Sequence, residues 1–246
     1  MTFKEGDYIL LVESEKRYVK LLNKDFNLSL KGKTIKFEDI VGKRVGEVVK
    51  GFCLLVPTLE DIILYGFKRK TQIVYPKDSF YIAFRLGLSK DKRLLEFGVG
   101  SGASTAVFSQ LAGEVWVYEV REDFYKLAKK NWDSFGLCQN VRLENMDFML
   151  ADMTEEFFDA VFVDVKDPLP YIEKVWKVLK AGASFGSILP TANQVSVLIK
   201  AMEGMFCDID LLEILQRHYK INPERLRPQD SMVAHTGYLV FARKRI

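Results

Sequence analysis

Apolar and polar positions along the chain follow two rhythms. Residues 1–65 carry short apolar or alternating runs at Asp7–Val12, Arg17–Leu22, Lys33–Phe37 and Phe52–Val56, separated by Gly6, Gly32, Gly42, Gly46 and Gly51. A period of two broken by glycine predicts a small β-rich module. From residue 76 onward helical and strand periods alternate. Helical spacing covers Asp78–Leu86, Ser104–Leu111, Asp123–Phe135, Tyr171–Leu179 and Gln194–Met202. Strand-like runs cover Arg93–Phe97, Glu114–Glu119, Val141–Glu144, Phe158–Asp164 and Ala183–Leu189, with further apolar runs at Cys207–Leu215 and Gly237–Ala242. The run from Phe158 is apolar enough to be buried on both faces. This order predicts an α/β fold over residues 66–246: a doubly wound, Rossmann-like parallel sheet that binds ligands at the carboxyl ends of its strands.

The segment Leu94–Thr105 joins a strand to a helix through Gly98, Gly100 and Gly102, with Ser101, Ala103 and Ser104 completing the loop and the first helical turn. Alternate glycines let the backbone turn tightly and approach a ligand without Cβ clashes. The following helix points its free N–H groups at whatever lies in the loop. Glu119, at the tip of the next strand and about 20 residues on, is placed to hold a ribose diol. An adenosine-containing cofactor is therefore expected. Its glycine spacing is Gly-x-Gly-x-Gly, one residue short of the dinucleotide pattern, and Glu96 lies two residues ahead of it. A carboxylate there repels a pyrophosphate and attracts an ammonium or a sulfonium. The pattern Glu-x-Gly-x-Gly-x-Gly resembles the first motif of class I S-adenosylmethionine-dependent methyltransferases.

Four acids follow apolar strands at the predicted ligand edge: Glu96, Glu119, Asp147 and Asp164. The methyltransferase resemblance implies that Glu119 binds ribose hydroxyls and that Asp147 accepts from the cofactor's adenine amino group. Without it, Asp147 reads as a charge that complements a helix N-terminus. Asp164 opens Asp164-Val165-Lys166-Asp167-Pro168, the position at which many amino-methyltransferases line the methyl-acceptor site.

Composition limits the setting more than it defines the chemistry. The chain has 246 residues, 48% of them hydrophobic, and a net charge of +3, a balance that neither demands nor forbids a nucleic acid. Lys68-Arg69-Lys70, Arg225, Arg227 and Lys244-Arg245 are the cations available to meet phosphates. No apolar run reaches the roughly 18 residues of a membrane-spanning helix, so no membrane partner is expected. The first residues lack the basic and apolar stretches of a signal peptide. Cys53, Cys138 and Cys207 are widely spaced and read as buried small hydrophobes in a reducing cytoplasm. His218 and His235 are far apart with no metal-ligand spacing around them, so no metal is expected.

Two further segments narrow the resemblance. Gln72-Ile73-Val74-Tyr75-Pro76-Lys77-Asp78 precedes the glycine loop; Arg227-Pro228 and His235-Thr236-Gly237-Tyr238-Leu239 lie near the C-terminus. Together with the β-rich N-terminal region, they resemble the tRNA (adenine-N1)-methyltransferases that act on the T loop. That resemblance implies methyl transfer from S-adenosylmethionine to N1 of adenine 58 of tRNA by a homotetramer. It implies a catalytic role for Asp164, which would also border the cofactor. Tyr75 would stack on a target base extruded from the T loop, and Gln72 and His235 would contact the substrate. One departure stands out: Lys166 and Leu169 occupy positions where this family usually has Pro and Trp. A protein methyltransferase of the L-isoaspartyl type is the alternative within enzymes, but that family's acceptor turn and C-terminal signature are absent here. A tRNA-binding subunit without cofactor would not need Glu96, the three glycines and Glu119.

Overall fold

A computed structural model describes residues 1–30 and 32–246. The chain forms two compact units, Met1–Lys68 and Arg69–Ile246. In the first, strands β1 (Tyr8–Glu13), β2 (Lys16–Leu21), β5 (Val48–Val49) and β6 (Phe52–Leu55) form an antiparallel sheet in the order β2-β1-β6-β5. Strands β3 (Asn27–Leu30) and β4 (Lys33–Lys36) pair as a hairpin followed by helix α1 (Phe37–Ile40). The β5–β6 turn places Lys50 at φ 50° and Gly51 at φ 89°, the twist that a two-residue hairpin favours. Phe3, Ile9, Leu11, Leu22, Ile35 and Phe52 are among the residues that fill its core. A short helix α2 (Leu59–Asp61) runs into a π-helical turn at Ile62–Gly66, in a stretch whose apolar spacing reads only as strand and turn.

The second unit opens with α3 (Pro76–Arg85), where Pro76 stands at the first helical position and fixes the start. Then follow β7 (Arg93–Phe97), α4 (Ala103–Leu111), β8 (Glu114–Tyr118), α5 (Glu122–Phe135), β9 (Val141–Glu144) and β10 (Phe158–Val163). After these come α6 (Ile172–Val178), β11 (Leu179–Leu189), α7 (Ala192–Ala201) and β12 (Phe206–Leu212). A minor pair, β13 (Tyr219–Lys220) and β14 (Arg227–Pro228), precedes β15 (Tyr238–Lys244). The seven-stranded sheet has the order β12-β15-β11-β10-β7-β8-β9. Central β10 contributes Phe158, Ala160, Val161, Phe162 and Val163, all buried, with Phe97 and Phe148 stacked at 5.2 Å nearby.

The sheet is mixed, not wholly parallel as the alternating periods predict. β15 runs antiparallel to both β11 and β12. Between β12 and β15 the chain has no α-helix to carry it back across the sheet, so it returns in the opposite direction. The cysteines also differ from expectation: Cys53 and Cys138 are half-buried, and Cys207, on edge strand β12, is exposed. Among the described residues, no helix is long and apolar enough to cross a membrane.

Candidate active site

β7 delivers Glu96 fully buried, and the chain then turns through Gly98, Gly100 and Gly102, all at positive φ, into α4. Two of these glycines are required by close packing. A Cβ on Gly98 would lie 1.9 Å from the Asp164 carbonyl oxygen, and one on Gly102 would lie 2.3 Å from Trp132 Nε1. Gly100 faces open space, the side from which a ligand can reach the loop. α5 holds the loop: Asn131 Nδ2 donates to Ser101 O and Trp132 Nε1 to Gly102 O, each at 2.9 Å. Sequence reading does not single out these two residues. Their one signal is a polar and a large aromatic residue side by side in an amphipathic helix.

Ser104 Oγ donates to Glu96 Oε1 at 2.6 Å, whereas Glu96 Oε2 is buried with no hydrogen-bond partner. Burial pushes this carboxyl up to about 7; the hydroxyls of Ser104 and Thr105 offset part of the rise, and Asp164 adds to it. Thr105 Oγ1 stands near Glu96 but outside hydrogen-bonding geometry, and it is buried without a partner, as is Ser101 Oγ. Asp164 is the first residue after β10. Part of its surface reaches solvent, yet it sits deep enough that desolvation pushes it up to about 7, with the charge of Glu119 adding. Glu96, Asp164 and Glu119, at the carboxyl ends of β7, β10 and β8, thus lie within electrostatic reach of one another, Asp164 in the middle, and no ion pair neutralises them among the described residues. Buried polar atoms ordinarily have partners, and clustered carboxylates oppose one another's ionisation. This donor set fits a ligand that brings hydrogen-bond donors and a positive charge, as S-adenosylmethionine does.

Glu119 is 6% exposed and its Oε1 accepts from Arg121 N at 2.9 Å. Asp147 is half-buried and caps the 3-10 turn Phe148–Leu150, accepting from Met149 N at 2.9 Å. Lys174 gathers the carbonyls of that turn, donating to Phe148 O at 2.7 Å, to Met149 O at 3.0 Å and to Ala151 O. Tyr171 packs on Phe97 at 4.9 Å; burial and the adjacent Asp147 charge hold its phenol above the ordinary value. Neither Tyr171 nor Lys174 stands out in the sequence, because only the folded turn brings them to Asp147.

Past the end of β10, Asp164 N donates to Phe97 O at 3.0 Å, and Lys166 O accepts from Gln194 Nε2 at 2.8 Å. Asp167 Oδ1 accepts from Leu169 N at 3.2 Å, so hydrogen bonds hold the turn that lacks the usual proline. Tyr75 occupies the N-cap position of α3, and its hydroxyl donates to Gln72 Oε1 at 3.2 Å. α3 in turn packs on α4, the helix of the glycine loop. His235 lies between Glu213 Oε1, at 2.5 Å from Nδ1, and Pro190 O, at 3.1 Å from Nε2. Both acceptors favour the imidazolium and raise its pKa. Pro190 directly follows β11, the neighbour of β10, so His235 and Asp164 lie at the same end of adjacent strands. No hydrogen bond joins Gln72 or Tyr75 to Asp164 or His235 among the described residues.

The candidate phosphate-binding cations divide. Lys244 is only 5% exposed; it donates to Leu179 O at 2.7 Å and lies over the Trp176 ring at 4.6 Å, so it is a core residue. Exposed Lys70 and Arg227 pair with Asp123 and Asp230 at 3.0 and 2.8 Å. Arg225 and Arg245 are exposed.

A family model described as "tRNA methyltransferase complex GCD14 subunit" matches residues 51–231, well over half of the chain. The chain belongs to this tRNA methyltransferase family. Among its relatives, the tRNA (adenine(57)-N(1)/adenine(58)-N(1))-methyltransferase TrmI of Methanocaldococcus jannaschii is 30% identical, the match covering 96% of this chain and 94% of that protein. The tRNA (adenine(58)-N(1))-methyltransferase TrmI of Thermus thermophilus is 31% identical over 76% of this chain and 75% of its own. Among solved structures, tRNA (m1A58) methyltransferase TrmI from Aquifex aeolicus superposes with a TM-score of 0.95 at 52% identity over the full length of both chains. A SAM-dependent O-methyltransferase from Thermotoga maritima superposes at 0.92 with 40% identity, covering 100% of this chain and 95% of that one. The tRNA methyltransferase fold therefore extends over the complete sequence.

Proposed function

We propose that this member of the family transfers a methyl group from S-adenosylmethionine to N1 of adenine 58 in the T loop of tRNA, as its relatives are named for doing. The observation that carries the reading is the cluster of three electrostatically coupled carboxylates, with no neutralising cation among the described residues, beside a glycine loop whose Ser101 and Thr105 hydroxyls are buried without partners. S-adenosylmethionine supplies, when bound, a methyl group activated by its sulfonium. Glu119 accepts from the ribose hydroxyls and Asp147 from the cofactor's adenine amino group. The backbone from Gly98 to Ser104 lines the cofactor, and Glu96 with Asp164 offers negative charge to its cationic end.

Asp164 also accepts a hydrogen bond from N6 of the target adenine. As N1 takes up the methyl group, positive charge spreads over the ring and the N6 protons become more acidic, so that bond strengthens in the transition state. This is positioning plus electrostatic stabilisation and needs no covalent enzyme intermediate. Tyr75, tied to Gln72, stacks on the extruded base, and His235 contacts the tRNA as a cation.

The protein works in the cytoplasm as a homotetramer. Leu215, Ile221, Leu226 and Val233, between β12 and β15, are 60–87% exposed and support an assembly surface. To test the activity, the protein is incubated with unmodified tRNA and cofactor, and the methylated nucleoside and its position are read by mass spectrometry. 1-Methyladenosine at position 58 is expected. An O-methylated nucleoside, or methylation only of protein, would overturn the reading.

A further inference from the structure

Lys77 and Asp78 lie in the first turn of α3, just after Tyr75 and Pro76. Thr236 adjoins His235, and Ile214 adjoins Glu213. The structure ties these three segments together. Lys77 Nζ donates to Asp78 Oδ1 at 2.7 Å, to Thr236 Oγ1 at 2.8 Å and to Ile214 O at 2.8 Å. Thr236 Oγ1 donates in turn to Asp78 Oδ2 at 2.9 Å. All three ammonium donors and both carboxylate oxygens are engaged, and the Lys77 and Asp78 side chains are only 15% and 1% exposed.

A buried ion pair is an inefficient way to add stability, because desolvation offsets the attraction and apolar residues of similar volume often do as well. What it supplies is geometry. Each bond has a direction and a length, and breaking one leaves a buried group unpaired. Here each tied segment carries a neighbour on the acceptor side: Tyr75 before Lys77, His235 before Thr236, and Glu213, which holds His235 Nδ1, before Ile214. We infer that Lys77, Asp78 and Thr236 are positioning residues that set Tyr75 in register with the His235–Glu213 pair, and so orient the target base against its tRNA flank. The inference rests on the tRNA reading above. None of the three touches the reacting atoms.

Thr236→Val removes one hydroxyl and nearly preserves shape, leaving the Lys77–Asp78 pair intact; Thr236→Ser restores the hydroxyl. The valine variant, which loses both hydrogen bonds of that hydroxyl, is expected to lose about tenfold or more in kcat/KM for tRNA. Its cofactor dissociation constant, set by the glycine loop, should stay within about twofold, and the serine variant should recover most of the loss. A second readout needs no tRNA. NMR titration of His235, one of two histidines, should move toward the ordinary histidine value in Thr236→Val, because His235 loses the anchor of its neighbour's hydroxyl and is no longer held in register with Glu213, and return in Thr236→Ser. Wild-type kcat/KM in Thr236→Val, or an unmoved His235 titration, would overturn the inference. A wild-type protein that leaves tRNA unmethylated while His235 responds as expected would overturn the tRNA reading and leave the tie to His235 standing.

Discussion

Glu96 stands inside the hydrophobic layer of the sheet with one oxygen on Ser104 and the other on no protein donor. Its pKa rises from 4.5 to about 7 on folding, so between those values the folded protein keeps a proton that the unfolded chain has released. The stability this group contributes is therefore complete at low pH and is lost as pH rises through about 7; Asp164 acts in the same direction. Urea unfolding of the ligand-free protein should show stability falling between about pH 4.5 and 7. Glu96→Gln should remove roughly 3 kcal/mol of that fall, and an identical slope in the variant would contradict the pKa assignment. A cationic cofactor favours the ionised carboxylates, so its affinity should rise over the same interval. At Asp164 the expected loss is kinetic. Asp164→Ala should lower single-turnover methyl transfer by about 100-fold or more, the scale of one preorganised contact to a transition state. Cofactor and tRNA affinity should change far less, and wild-type turnover would move the acceptor site toward Tyr75 and His235.

At the level of elements, the glycine loop and α5 act as one piece. Gly102 begins α4 at φ 81°, directly against the Trp132 ring. Gly102→Ala adds both backbone strain and a collision, and should cost roughly 2–4 kcal/mol in thermal or chemical unfolding. Gly136, which ends α5 at φ 62° with nothing within 4 Å of a Cβ, is the control. Gly136→Ala carries only the backbone penalty of roughly 1–2 kcal/mol. Equal losses would show that the Trp132 contact is not what requires glycine at 102. The start of α4 is legible in the sequence because glycine density and helical spacing are local. The partner that makes Gly102 necessary is not, because Trp132 is 30 residues away in sequence and reaches the loop only once α5 has packed.

For the whole molecule, a net charge of +3 understates the attraction available to a polyanion, because exposed Lys and Arg act locally. tRNA affinity should fall steeply and linearly with salt on logarithmic axes, and a flat response in filter binding would count against a tRNA substrate. Lys244 should contribute nothing to that slope, since its ammonium is committed to Leu179 O and the Trp176 face.

The sequence alone determines the α/β alternation, the glycine loop and the acids that end the strands, because each depends on backbone freedom and side-chain alternation among near neighbours. Membership of the tRNA methyltransferase family is legible for the same reason, through short contiguous signatures. Tertiary structure decided the rest. β15 runs antiparallel because no helix carries the chain back from β12, which no local period reveals. Asp147 acquires Tyr171 and Lys174 through the packing of a turn against the α6 region. Lys77 meets Thr236 across 159 residues. In sequence these are a lysine in one motif and a threonine in another; burial turns them into partners, since a charge removed from water must find its hydrogen bonds wherever the fold supplies them.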